Sequence, residues 1–207
     1  KVPKAEITSK VERYLDMIQL ADYGGRMPKE LSGGQRQRVA FARAVVFEPP
    51  VLLMDEPLGA LDLKLRQTMQ LEIKQYHQQI GCTVIFVTHD QGEALALSDR
   101  IAVMGKGQIV QVDTPDRIYD RPNSRYVAEF IGRTNILHLV RDASGAVEIT
   151  ELGLKLQPGS YPDAGTISIR PEKVRRSSEA NLPNIRFKAT VIETLFLGDI
   201  VQYSVST

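Results

Sequence analysis

Behind Pro3, a residue suited to the first position of a helix, Ile7, Val11, Tyr14, Leu15 and Ile18 recur at helical spacing. The pattern predicts an amphipathic helix over residues 3–20. Gly24-Gly25 and Pro28 mark a loop, and a second amphipathic helix runs from Ser32 to about Phe47, stopped by Pro49-Pro50. Val51-Leu52-Leu53-Met54 is apolar on both faces and runs into Asp55-Glu56-Pro57, the pattern of a buried parallel strand. Asp62 is placed to cap a helix over about 63–80, whose stripe is Leu65, Met69, Ile73, Tyr76 and Ile80 and whose stop is Gly81. Thr83–Val87 is a second buried strand, ending at Thr88-His89-Asp90. Asp90 and Glu93 match a capping box for a helix through Leu97. Ile101–Met104 and Gln108–Asp113 flank Gly105-Lys106-Gly107 as a hairpin. Strand alternating with helix predicts an α/β domain with a parallel sheet.

The pattern changes around Pro115–Gly132, where two short helices are predicted at about 114–120 and 124–131. Short strands with turns follow, at Ile136–Val140, Ala146–Thr150, Thr166–Arg170, Arg186–Glu193 and Ile200–Val205. Asp142–Gly145 and Pro158–Gly165 are turn-rich. The tail therefore reads as a small all-β, OB-like domain. The expected division is 1–132, with a helical part to about 48 and an α/β core from about 49, and 133–207. Composition adds exclusions. A net charge of +1 creates no strong field toward nucleic acid or an acidic partner. Cys82 is the single cysteine, so no disulfide forms within the chain, which suits a reducing cytosol. No apolar run approaches the roughly 20 residues of a membrane helix, and the first residues lack the apolar core of a secretory signal. Lys1-Val2-Pro3 enters a helix at once without an initiating methionine and reads as interior sequence.

Two consecutive glycines, Gly33 and Gly34, open the second helix. Each costs about 1 kcal/mol against alanine inside a helix. Ser32 and Gln35 form a capping box by spacing, but that leaves the glycines unexplained. Glycines bare the backbone N–H groups at the positive end of the helix, where a phosphate can approach. A plain cap and a phosphate site both remain open on spacing alone. Asp55 and Glu56 stand at the C-terminal end of a strand, the edge at which open α/β sheets bind ligands. Successive strand residues face opposite sides. Asp55 suits a magnesium ion held through water, and Glu56 a general base acting on water. The alternative is a solvated loop with incidental acids. His89 sits at the same edge of the next strand, either as a hydrogen-bonded structural residue or in contact with a γ-phosphate.

Taken in order and spacing, LSGGQ, VLLMDEP, LGALD and VTHD resemble the nucleotide-binding subunits of ATP-binding cassette (ABC) transporters. The resemblance implies that Ser32, Gly33, Gly34 and Gln35 are the signature motif, facing the γ-phosphate of ATP held by a second subunit in a head-to-tail homodimer. It implies Asp55 as the Walker B magnesium ligand, Glu56 as the catalytic base, Leu58–Asp62 as the D-loop, with Asp62 among the nucleotide-binding residues, and His89 as the switch histidine. GKGQIVQVDTPDRIYDRP, then SIRPEKV and LFLGD, resembles the ATPases of polyamine, ferric-iron and sugar importers that carry a C-terminal OB-type domain. The implied fold is α/β, a partial P-loop NTPase domain with a helical subdomain, followed by the small all-β domain. The implied cofactors are ATP and Mg2+. The implied partners are a second ATPase subunit and separate membrane subunits, and the implied location is cytoplasmic, peripheral on the inner face of the cell membrane.

Two family motifs are missing, the P-loop and the Q-loop that the family places well upstream of the signature. The phosphate-cradling G-x-x-x-x-G-K-[ST] does not occur. The one Gly-Lys pair, Gly105-Lys106, precedes Gly107, and position 100 is Arg100. The expectations that follow are that the N-terminal part of a full subunit is not in this chain and that its accessory domain stops early. The chain alone is expected to hydrolyse no ATP and to expose apolar sheet surface. A different class of reading is a non-catalytic assembly or regulatory module that supplies a signature motif in trans. A nucleic-acid-working ABC ATPase is disfavoured, because aromatics are only 6% and Tyr161, Phe187, Phe196 and Tyr203 read as core or rim.

Overall fold

The computed structural model describes residues 2–59, 63–156, 165–175 and 186–207. By residue contacts the chain divides into two units, Lys1–Arg117 and Ile118–Thr207, at the start of the change of pattern and ahead of the boundary expected at residue 132.

In the first unit, α1 (Lys4–Met17) is shorter than the predicted 3–20. The chain leaves the helix at Ile18, and Gln19 turns through a left-handed backbone at φ 59°. Tyr14 and Ile18 are buried, whereas Ile7 and Val11, on the same stripe, stay exposed. α2 (Gly33–Val45) buries Phe41, Ala42 and Val45. β1 (Val51–Asp55) leads to α3 (Leu63–Ile80), and Gly81, at φ 71°, ends that helix in the left-handed region that glycine favours. β2 (Thr83–Val87) pairs parallel with β1, Val51 opposite Thr83 and Asp55 opposite Val87. The predicted spans of α3 and β2 agree with these bounds. The stripe of α3 buries Met69, Ile73 and Tyr76. They join Tyr14, Ile18, Phe41, Val45 and Leu52 in one core, in which the Phe41 and Tyr76 rings lie 5.7 Å apart.

The two strands are not buried on both faces as their sequences suggested. Leu52 enters the core, but Val51, Leu53, Ile85 and Val87 are 47%, 72%, 56% and 62% exposed. The reason is layering. Side chains of α1, α2 and α3 pack with Leu52, Met54 and Val84 on one face, and among the described residues no layer packs on the other.

α4 (Gln91–Leu97) follows, then a hairpin of β3 (Ile101–Gly105) and β4 (Gln108–Asp113). Lys106 and Gly107 at its tip both have positive φ, 50° and 76°, as a tight hairpin turn of matching twist requires.

α5 (Pro115–Asp120) crosses the division, and α6 (Arg125–Phe130) starts at Ser124, whose hydroxyl accepts from the Val127 N–H. Beyond it β5 (Asn135–Arg141), β6 (Val147–Ile149), β7 (Leu154–Leu156) and β8 (Thr166–Ile169) form an antiparallel sheet in the order β7-β6-β5-β8. β9 (Thr190–Phe196) and β10 (Val201–Ser206) form a separate antiparallel ribbon. Two details differ from expectation: β7 was not foreseen, and β9 begins at Thr190 rather than Arg186. Pro158–Gly165 falls almost wholly outside the described residues, as does Tyr161.

Arg170, directly after β8, is only 5% exposed and holds this unit together. Its Nη1 donates to the carbonyls of Ala128 (3.0 Å), Ile131 (2.6 Å) and Arg133 (3.1 Å). Its Nε and Nη2 donate to the Tyr119 carbonyl at 3.1 and 2.9 Å. These are carbonyls that the last turns of α5 and α6 and the loop after them leave without helical partners. The guanidinium also stacks 4.1 Å from the centre of the Tyr119 ring.

Candidate functional site

Ser32 is the N-cap of α2. Its hydroxyl accepts from the Gln35 N–H at 3.3 Å, and the Gln35 side-chain oxygen accepts from the Ser32 N–H at 2.9 Å. The capping box foreseen in the sequence is therefore complete, and it occupies Ser32 and Gln35. It does not involve Gly33. A Cβ built on Gly33 meets nothing within 4 Å, and its φ is not positive. Neither packing nor backbone conformation within this chain requires glycine there. What the missing side chain leaves is an open approach to the first N–H groups of the helix.

β1 and β2 bring the next group together. Glu56, one residue past β1, has φ 45°, a left-handed backbone uncommon for a residue other than glycine. Its N–H donates to the Val87 carbonyl at 2.8 Å, and its own carbonyl accepts from the Gly59 N–H at 3.2 Å. Such conformations persist where surrounding contacts over-determine them, and they cluster at functional sites. His89, two residues past β2, places Nδ1 3.0 Å from Glu56 Oε1. In the tautomer that protonates Nδ1, the imidazole donates to the carboxylate. Both side chains are exposed. Asp55 is the last residue of β1 and is also exposed. Among the described residues no group of three or more His, Cys, Asp or Glu converges as a metal cage. A hard cation at Asp55 would draw the rest of its oxygen shell from water and phosphate, as magnesium usually does. Asp62 lies outside the described residues.

The segment carrying His89 is anchored from behind. The Asp90 N–H donates to the Thr88 hydroxyl at 3.0 Å, and the Asp90 carboxylate caps α4 by accepting from the Glu93 N–H at 3.0 Å. Arg66 of α3 pairs with the other carboxylate oxygen at 2.7 Å. The capping box expected here is half formed: Glu93 does not reach back to Asp90 but is buried, 2% exposed, on the inner side of the short α4. The Glu93 N–H bond holds the Asp90 carboxyl below the usual carboxylate range, burial opposes the shift, and Arg66 adds to it. A depressed folded pKa contributes stability that is complete above the unfolded value, about 3.9, and is lost as pH falls through the folded value. Replacing Asp90 with Ala is expected to destabilise the first unit by about 1 kcal/mol at pH 7. The difference from wild type should shrink below about pH 4, which urea unfolding at the two pH values checks.

Two groups were missed by sequence reasoning. The Gln37 side-chain amide of α2 donates to the Pro57 carbonyl, directly after Glu56. Arg38 pairs with Glu72 of α3 at 2.5 Å, both largely buried. Each pairing spans a sequence separation that periodicity does not register. Ser32–Gln35 themselves bond only within α2 among the described contacts, so Gln37 is the link from that helix to the acid-bearing strand end.

Known proteins resemble this chain in two segments and along its length. Residues 2–59 match the family model described as ABC transporter, and residues 167–207 match that of the TOBE domain. A curated relative from Pseudomonas aeruginosa, spermidine/putrescine import ATP-binding protein PotA 2, is 48% identical over 99% of this chain and 59% of its own length. The spermidine/putrescine import ATP-binding protein PotA of Thermobifida fusca is 48% identical over 100% of this chain and 56% of its own. The chain thus spans somewhat more than half the length of the relatives it matches. Among solved structures, cbiO1 from Clostridium perfringens, part of the ABC transporter complex cbiONQ, superposes with a TM-score of 0.54 at 30% identity, over 57% of this chain and 47% of that one. The motifs around Ser32, Glu56 and His89, the matches at residues 2–59 and 167–207 and near-half identity along this chain make it similar to ABC transporter ATP-binding subunits, with a TOBE-like segment at 167–207.

Proposed function

We propose that this chain is the signature- and Walker B-bearing part of an ATPase that drives an importer, and that the complete ATPase hydrolyses ATP with Mg2+. The observation that carries the reading is Glu56, held in a left-handed backbone at the end of β1 with its carboxylate 3.0 Å from His89. In this reading Glu56 accepts a proton from water as the water oxygen bonds to the γ-phosphorus and the bridging oxygen leaves with ADP. His89 hydrogen-bonds a γ-phosphate oxygen through Nε2 while Nδ1 faces Glu56. Asp55 holds the magnesium ion, which neutralises charge on the phosphates. Ser32, Gly33, Gly34 and Gln35 receive the γ-phosphate of ATP held by a second copy, and Asp62 lies beside that nucleotide.

The partners in this proposal are that second ATPase subunit and separate membrane subunits, with no nucleic acid. The relatives' names support polyamine uptake as the transport served. No helix among the described residues is long and apolar enough to cross a membrane, and the proposed location is peripheral, on the inner face of the cell membrane.

The test uses the purified chain and the same chain fused behind the P-loop-bearing part of a relative. The sequence contains no G-x-x-x-x-G-K-[ST], so the chain alone is expected to release no phosphate from MgATP, and the fusion is expected to release it. A folded fusion that binds ATP without hydrolysing it overturns the proposal.

A further inference from the structure

We infer that Gln37 is a positioning residue that ties the phosphate-facing end of α2 to the Glu56 carboxylate; this rests on the functional reading above. Glu56 precedes a proline and carries φ 45°. Proline already restricts the residue before it, so this backbone needs holding in place. Three contacts hold it. The Val87 carbonyl takes the Glu56 N–H, the Gly59 N–H takes the Glu56 carbonyl, and the Gln37 amide takes the carbonyl of Pro57. Pro57 has no N–H and a fixed φ. Its carbonyl, in the Pro57–Leu58 peptide, is its one backbone hydrogen-bonding group and lies one ψ rotation from the Glu56–Pro57 peptide.

Gln37 stands in the helix that Ser32 caps, two residues beyond Gln35. The helix is anchored by the Arg38–Glu72 pair to α3, and by Arg36 Nη1 donating to the Leu31 carbonyl at 2.7 Å. A shift at the start of α2 is therefore passed through Gln37 to the Pro57 carbonyl, and so to Glu56. In the proposed dimer the start of α2 faces the nucleotide held by the partner, whereas Glu56 serves the nucleotide of its own subunit. Gln37 thus joins the two sites within one chain.

The test pairs Gln37→Glu, which keeps the shape but removes the donor, with Gln37→Lys, which restores one. In the 207-residue chain, Gln37→Glu is expected to speed amide exchange at Gly59 by about tenfold or more, with the amides of α2 unchanged. Gln37→Lys is expected to return exchange toward wild type. Unchanged exchange in Gln37→Glu overturns the inference. In the fused ATPase, Gln37→Glu is expected to lower kcat by about 10–100-fold with KM for ATP within about twofold, since misplacing a reacting group by about 1 Å costs that much. A raised KM with kcat retained also overturns it. A wild-type fusion without Glu56-dependent hydrolysis overturns the functional reading instead, and the Gly59 exchange then still decides whether Gln37 holds the turn.

Discussion

Glu56→Gln in the fused, hydrolysing form is expected to lower kcat by about 10²–10⁴-fold, the range for losing a general base. The substitution isolates chemistry from placement. Glutamine keeps the size of glutamate, and its side-chain oxygen still accepts from His89 Nδ1, so the 3.0 Å contact can persist. Asp55 and the Ser32–Gln35 turn are untouched, so ATP affinity should change by no more than about threefold. What glutamine cannot do is take a proton from the attacking water. Phosphate release measured at saturating MgATP, with nucleotide binding measured separately, reads the two effects apart. A loss below about tenfold would place the base elsewhere. His89 offers the contrast: His89→Ala removes the proposed contact to the γ-phosphate and one partner of Glu56, but leaves the Glu56 carboxylate in place.

Arg170→Ala should have the largest effect on stability. Removal of the guanidinium leaves the carbonyls of Tyr119, Ala128, Ile131 and Arg133 without their donor in a largely buried place. Each buried unsatisfied acceptor costs about 1–3 kcal/mol, less where water enters the vacated space. An overall loss of about 3 kcal/mol or more is expected, against the roughly 5–15 kcal/mol that keeps a domain folded. Arg170→Lys should recover only part of it, because an ammonium cannot spread planar donors across two helix ends. The chain has no tryptophan, so hydrogen exchange by mass spectrometry is the suitable readout. Peptides from 118–207 should lose protection, while those from 1–117 keep it. Equal protection in both variants and wild type would show that the carbonyls are satisfied in another way.

Much of the first unit was legible because its signals are local. The stripe Met69, Ile73, Tyr76 and the stop at Gly81 defined α3, and the spacing of Ser32 and Gln35 defined the cap of α2. The acid-bearing strand end and His89 could be placed at one edge because both strands end there, which the parallel register confirms. The partner of each side chain was not legible. Gln37 and Pro57 lie twenty residues apart, and Arg66 and Asp90 twenty-four, with no period linking them. Arg170 entered the sequence reading only as the last residue of a strand, since sequence does not show that two helix C-termini converge on it. β7 is three residues long, too short for alternation to declare itself. The burial of β1 and β2 was misjudged for another reason. An apolar residue in a strand records what the face is suited to meet, not whether the described chain supplies it.

The Arg170 clasp also bears on modularity. The TOBE match begins at residue 167, inside β8. Excision at that boundary would carry Arg170 away from every carbonyl it serves and remove β5, the strand against which β8 is paired. The unit of recognisable ancestry is therefore smaller than the unit that can be cut out and transplanted. A graft of this accessory domain onto another protein would have to begin ahead of Tyr119, so that the helix ends travel with the arginine that closes them.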